Sequence, residues 1–263
     1  MPDMHIGTSA FTAAGWDGSF YPKGVKPADY LSYYATKFDT VELNNTFYRT
    51  PTLSTVKGWE AKTPPGFIFA AKVPQVITHE KVLVDCQDDL KHFLGTMDAL
   101  GDKLGPLLLQ FGCFNQIKTQ ADFFAVLKPF LKKLPKGYQF AVEIRKKDWL
   151  DARFADVLRA HGVALTLIDK SWVPRAWELK ERFDLITADF TYVRWLADRD
   201  GREAQTETWD KVVVDRKKDL KNWIEVFQQF LEKNLKIFAF ANNHYAGHAP
   251  ATVQLFWELW NKI

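Results

Sequence analysis

Short apolar runs alternate with longer segments of helical periodicity along the whole chain. Eight runs have the length and the β-branched or aromatic content of buried strands: MHIGTS (4–9), TVELN (40–44), FIFAAKV (67–73), PLLLQF (106–111), QFAVEIR (139–145), VALTLID (163–169), TYVRW (191–195) and KIFAFAN (236–242). Between and after them lie the amphipathic segments PADYLSYYATKF, LSTVKGWEAK, QDDLKHFLGTMDALGDKL, QADFFAVLKPFLKKL, ARFADVLRAHG, DLKNWIEVFQQFLEKN and APATVQLFWELWNK. Residues 173–190 carry only a weak helical pattern. Strand then helix, repeated over about 250 residues, predicts an α/β fold of the (β/α)8 TIM-barrel type, with eight parallel strands inside a helical layer and one domain over 1–263.

Barrel closure makes a demand on side-chain parity, because lumen-facing residues alternate with residues facing the helices. Taking Val41, Leu43, Val142 and Ile144 outward sends Glu42, Asn44, Ala141, Glu143 and Arg145 inward. Similar parity assigns Lys72, Gln110, Asp169 and Arg194 to the lumen. In the last strand Phe238 and Phe240 are expected on the helix side, leaving Ala239, Ala241 and Asn243 for the lumen. The polar members fall in the C-terminal halves of their strands, the end where barrel enzymes build their sites.

Several landmarks resemble one known family in order and over essentially the whole chain: IGTSAFTAAGWDGSFYP, VELNNTFYRTP, TVKGWEAKTPPGFIFAAKVPQVITH, LGPLLLQF, FAVEIRKKDW and FANNHYAGHAP. That family is the domain of unknown function 72 (DUF72), or YecE-like, family. The resemblance implies a (β/α)8 barrel and no particular reaction. One departure stands out: where many members follow the strand-seven arginine with a short His-Gly element, Arg194 here runs into the polar WLADRDGREAQTETWDKVVVDR, whose 196–215 stretch suits a lid or a subunit contact.

The predicted rim gathers three acids (Glu42, Glu143, Asp169) and three cations (Lys72, Arg145, Arg194), with His79, His244 and Arg49 from adjacent loops. Carboxylates whose surroundings push their pKa values apart suit general acid/base work, and Glu143 with Asp169 form the preferred pair, Arg145 and Arg194 acting as anion clamps. The competing reading is a salt-bridge network that closes the barrel. Asn44, Tyr48, Gln110 and Trp149 complete the expected binding surface, and Asn45 and Thr46 shape the rim. The turn NNHYAGHAP, through Asn243, His244 and Gly247 into a helix with Pro250 in its first turn, offers backbone amides to an anion; equally, Asn242, Asn243 and Gly247 merely cap that helix. His244 and His248 straddle a glycine-containing loop, and nearby cations oppose a divalent ion, so no metal is assigned. Trp16, Phe20, Tyr21, Tyr48, Trp149, Trp172, Trp177 and Trp195 are candidates to stack on a base or sugar, whereas Trp223, Phe227, Phe230, Leu231, Phe256, Leu259 and Trp260 have core spacing.

Composition narrows the remaining classes. An apolar fraction of 47% supports a sizeable core, and the net charge of +3 arises from 35 basic and 32 acidic residues mixed along the chain, a weak argument for nucleic acid. Cys86 and Cys113 lack zinc or CxxC spacing, and Cys113 in QFGCFN has no identifiable base. The stretch MPDMHIGTSAF enters a strand at once, and no apolar run reaches the roughly 20 residues of a bilayer span, so no membrane partner is expected and a cytoplasmic location is. GxSxG, Walker and Rossmann signatures are absent, and no cofactor is named by the sequence. The preferred function is an enzyme, a hydrolase, lyase or isomerase, using carboxylate acid/base chemistry on a small phosphorylated or carboxylated, sugar- or nucleotide-like anion. The alternatives are a barrel that binds or processes nucleic acid, and a ligand-binding protein without turnover.

Overall fold

In the computed structural model, which describes residues 3–112, 117–196, 206 and 208–263, eight parallel strands close in the order β1 to β8 and back to β1. They are β1 (Met4–Thr8), β2 (Thr40–Leu43), β3 (Ile68–Lys72), β4 (Leu104–Phe111), β5 (Phe140–Ile144), β6 (Ala164–Asp169), β7 (Phe190–Trp195) and β8 (Lys236–Ala241). Every strand falls where the apolar runs predict. Outside lie α1 (Tyr30–Tyr34), α2 (Leu53–Ala61), α3 (Gln87–Met97), α4 (Gln120–Lys132), α5 (Ala152–Arg159), α6 (Ala176–Leu179), α7 (Lys217–Glu232), α8 (Asn243–Ala246) and α9 (Ala249–Trp260). The weak pattern after β6 yields only the single turn of α6, and PADYLSYYATKF is shorter than its periodicity suggests, a 3-10 turn leading into α1. Among the described residues no helix is long and apolar enough to cross a membrane.

The seam between β1 and β2 has a single paired register position, Thr8 with Val41. Tyr34 closes it: its hydroxyl accepts from the Thr8 amide at 2.9 Å and donates to the Thr40 carbonyl at 3.0 Å. A Cβ on Gly7 would collide with that same Thr40 carbonyl oxygen, so only glycine lets the strands approach.

Two apolar layers follow. The larger packs the outer faces of the strands, including Val41, Leu43, Leu107, Leu109, Val142, Ile144, Val193 and Trp195, against the helices. The smaller fills the lumen with Ala70, Leu108, Ala141, Ala164, Phe190, Tyr192, Phe238 and Phe240. The expected parity of β8 is therefore reversed: Phe238 and Phe240 point inward, and Ala239 and Ala241 face the helices. Volume explains the reversal. Alanines from β3, β5 and β6 leave lumen space for large rings, while the outer side of this region is crowded by Trp195, Phe227 and Phe256, whose rings pack 5.3 to 6.3 Å apart.

Candidate functional site at the C-terminal mouth of the barrel

Above the lumen aromatics, the strand tips carry a chain of charged groups out of contact with bulk water. Arg194, at 3% exposure, donates through Nη1 to Glu143 Oε2 at 2.7 Å and through Nη2 to Glu42 Oε1 at 2.8 Å. Glu42 Oε2 accepts from the Tyr192 hydroxyl at 2.7 Å, and its Oε1 also accepts from Asn44 Nδ2 at 3.1 Å. Glu143 Oε1 accepts from Arg145 Nε at 2.7 Å. Both carboxylates are fully buried, and every oxygen has a cationic or hydroxyl donor. Burial pushes the Glu143 carboxyl upward, but Arg194 and Arg145 outweigh it and hold the group down at about 2. Burial likewise opposes the charge of Arg194, and Glu42 and Glu143 overcome it, raising its pKa above the ordinary arginine value. Glu143 is thus a fixed negative charge with no affinity for a proton near neutrality.

A cleft of about 350 Å³ opens on top of this network, lined by Asn44, Phe47, Tyr48, Lys72, Gln110, Arg145, Lys170, Arg194, Leu196, Asn242 and His244. The lining holds four cations and no carboxylate among the described residues. Lys72 lies with Nζ 3.6 Å from the centroid of the Phe47 ring. Burial, reinforced by Arg194, brings its pKa down from 10.5 to about 8, against the opposing pull of Glu143 and Glu42. The turn after β2 places Phe47 there because the Thr46 hydroxyl spans the carbonyls of Leu43 and Lys72 at 2.7 and 2.6 Å. His79 packs edge-to-face with the same ring, 5.1 Å between centroids. Burial, then Lys72 and Arg145, disfavour its protonation.

Of the residues the sequence nominated, Glu42, Asn44, Tyr48, Lys72, Gln110, Glu143, Arg145, Arg194 and His244 converge on the mouth or the network beneath it, with His79 beside Phe47. Others sit elsewhere. Asp169 continues the outward phase of Leu165 and Leu167; its carboxylate accepts from Trp223 Nε1 at 2.9 Å, the Tyr245 hydroxyl at 2.9 Å and Arg175 Nε at 3.1 Å, tying β6 to α7 and α8. It shares no partner with Glu143, and the expected acid/base pair does not form. Trp149 is buried and stacks on Phe123, 5.5 Å between centroids, filling core. Arg49 is exposed and outside the cleft lining. Asn243 Oδ1 accepts from Trp16 Nε1 at 3.2 Å and from the Ala249 amide at 2.9 Å, and His248 Nδ1 accepts from the Ala251 amide at 3.2 Å. These bonds occupy the first amides of α9, so the capping reading of that turn holds. Gly247, at φ 105°, is needed because a Cβ would lie 2.6 Å from the Lys211 carbonyl oxygen. Trp16, Tyr21 and Trp195 are buried, whereas Tyr48 (73%) and Trp172 (43%) are exposed. Cys113, and residues 197–205 and 207 of the long loop, lie outside the described residues.

Phe47, Lys170, Leu196 and Asn242 line the cleft without having been nominated. Two of them carried a readable signal. With Leu165 and Leu167 outward, strict alternation puts Thr166, Ile168 and then Lys170 inward; with Phe238 and Phe240 inward, it brings Asn242 and not Asn243 to the mouth.

Comparison with known proteins agrees with this architecture. The family described as "Protein of unknown function DUF72" matches residues 5–263. The protein named UPF0759 protein YecE, from Escherichia coli strain K12, is 34% identical over 116 residues, which span 44% of this chain and 41% of that relative. A DUF72 family protein of known structure from Thermotoga maritima, TM1631, superposes with a TM-score of 0.73 at 26% identity, covering 99% of both chains. A second, EF0366 from Enterococcus faecalis, gives 0.69 at 18% identity, covering 98% of this chain and 97% of that one, and supports the fold alone. With a closed barrel and a match over nearly its whole length, the chain belongs to the DUF72 family.

Proposed function

We propose that the protein is an enzyme that binds a small phosphorylated or carboxylated, sugar- or nucleotide-like anion in the mouth cleft, with Lys72 as the group that moves the proton. The observation that carries this reading is the segregation of charge: Lys72, Arg145, Lys170 and Arg194 face the cleft, while both carboxylates lie beneath it in arginine pairs. Arg145 commits Nε to Glu143, and among the described residues its terminal nitrogens make no hydrogen bond, leaving a fork suited to a phosphate or carboxylate. Glu143 and Glu42 then serve as positioning groups that hold the guanidinium groups in place. With a pKa of about 8, Lys72 is neutral in roughly a tenth of molecules at pH 7, enough to act as a base and to return the proton as an acid. Hydrolysis, lysis and isomerisation all accommodate such a step.

Native mass spectrometry of gently purified protein, followed by titration calorimetry with inorganic phosphate and sugar phosphates, tests the reading. Retention of an anion by the wild type and its loss in Arg145→Met is expected; a cleft that takes up no phosphate or carboxylate compound at low salt would exclude it. The exposed ring of Tyr48 on the cleft lining, and Trp172 under Lys170 Nζ at 4.0 Å, favour nucleic acid as a second reading. Oligonucleotide binding that falls steeply with salt would distinguish it.

A further inference from the structure

Lys72 differs from the two arginines of the cleft in its surroundings. It is buried, with only 8% of its surface exposed, and among the described residues its ammonium has no carboxylate within salt-bridge distance, although Glu42 and Glu143 occupy the same end of the barrel and are both held by Arg194. Its ammonium lies over the face of Phe47, and its backbone carbonyl is fixed by Thr46. A lysine that only neutralised the carboxylates would lie against one of them. This one is kept apart, and burial together with Arg194 outweighs the pull of Glu143 and Glu42 to favour a neutral, nucleophilic amine.

The loop that follows β3 carries a second, independent observation. Val76–Glu80 form a π-helical turn, a form frequent at functional sites, and Val82, Leu83 and Asp85 all take positive φ (46°, 65° and 47°) without being glycine. Such residues cost on the order of 1 kcal/mol or more each and persist where the surrounding structure must aim a side chain. The turn delivers His79 to the same Phe47 ring that Lys72 overlies, with a 2.8 Å hydrogen bond between Nδ1 and the Thr78 hydroxyl.

Resting on the anion-binding reading above, we infer that Lys72 is an imine-forming nucleophile for a carbonyl compound that also carries a phosphate or carboxylate. The neutral amine attacks the carbonyl carbon, the C–N bond forms and the π electrons move to oxygen. A proton passes from the new ammonium to that oxygen, giving a carbinolamine. Loss of the hydroxyl with one further proton releases water and leaves the imine, so amine plus carbonyl equals imine plus water and no oxidant or reductant is consumed. The protonated imine withdraws electrons from the adjacent carbon, which suits the lysis and isomerisation branches of the proposed function. Arg145 holds the anionic end of the molecule.

The test uses pyridoxal 5′-phosphate and dihydroxyacetone phosphate, each beside its unphosphorylated counterpart, with borohydride reduction and peptide mass analysis of the intact, folded protein. A stable adduct on the peptide bearing Lys72 is expected, formed about tenfold or more faster with the phosphorylated member of each pair. Arg145→Met should bring the two members to parity, and Lys72→Arg, checked for folding by circular dichroism, should abolish the adduct. If calorimetry shows the phosphorylated probes bound in an Arg145-dependent way and borohydride fixes nothing at Lys72, the imine is refuted and the anion site stands. If the probes neither bind nor react, both readings fall.

Discussion

Glu143→Gln separates the structural part of the mouth from its chemistry. Glutamine keeps the shape and one acceptor of the side chain but removes the charge that Arg194 and Arg145 share at 2.7 Å each. In the wild type those two cations hold the carboxyl at about 2, against an ordinary value of 4.5 and despite burial that raises it. That fall corresponds to roughly 3 kcal/mol favouring the folded state once the group is ionised. Because the folded value is the lower one, the contribution is complete above the unfolded value and drains away as pH falls toward 2. Arg194 keeps Glu42 at 2.8 Å, so its buried charge is not left bare, and the loss stays near the lower end of the roughly 3–5 kcal/mol seen when one member of a buried pair is removed. Urea unfolding of both proteins, followed by circular dichroism, should show a gap of roughly 3 kcal/mol at neutral pH that shrinks to about half near pH 3. A gap under about 1 kcal/mol at neutral pH, or one that stays constant from about pH 5 to pH 3, would refute the assignment of Glu143 as the ionised centre of the network.

Lys72→Met should stabilise the fold at neutral pH by roughly 1–2 kcal/mol, the relief of a buried ammonium less the lost contact with Phe47, and the gain should fade above about pH 8 as the wild-type amine loses its proton; a lower melting temperature for the variant would count against this. Asp169→Asn should cost about 2–3 kcal/mol in denaturant unfolding, because a charged acceptor of three hydrogen bonds is weakened, while phosphate affinity at the mouth, measured by calorimetry, stays unchanged. Gly247→Ala should lower the melting temperature by an amount equivalent to about 2 kcal/mol, since a Cβ at positive φ would meet both the Lys211 carbonyl and the Val213 side chain; an unchanged melting temperature would show that the 211–213 segment yields freely.

The barrel was legible because each strand is a short, predominantly apolar run between polar turns, a pattern that survives errors of one residue at either end. The site was legible only as far as parity could be anchored. In TVELN and QFAVEIR the outward positions are Val41, Leu43, Val142 and Ile144, all large and apolar, and the alternating residues Glu42 and Glu143 have nowhere else to go. KIFAFAN offers no such anchor, since both of its alternating sets are apolar. Ranking Phe above Ala for the helix side placed Asn243 at the mouth where Asn242 belongs, because packing in the lumen is decided by the volume left by Ala70, Ala141 and Ala164 and not by hydrophobicity. VALTLID has Leu165 and Leu167 as anchors, and the parity that sends Asp169 inward runs against them; with both leucines outward the same rule sends Lys170 inward instead.

The two slips share a consequence for function. With Asp169 at the mouth the site would hold carboxylates to match its cations, and a carboxylate pair would be the natural catalyst. With Lys170 there instead, the cleft is cationic throughout its described lining, and the acids beneath it are already committed. Under the proposed acid/base reading, the proton acceptor near neutrality is a group driven toward its neutral form, as burial and then Arg194 do to Lys72. One residue of register on β6 therefore changes the chemistry proposed for the barrel, from carboxylate catalysis to a lysine above a salt-bridged floor.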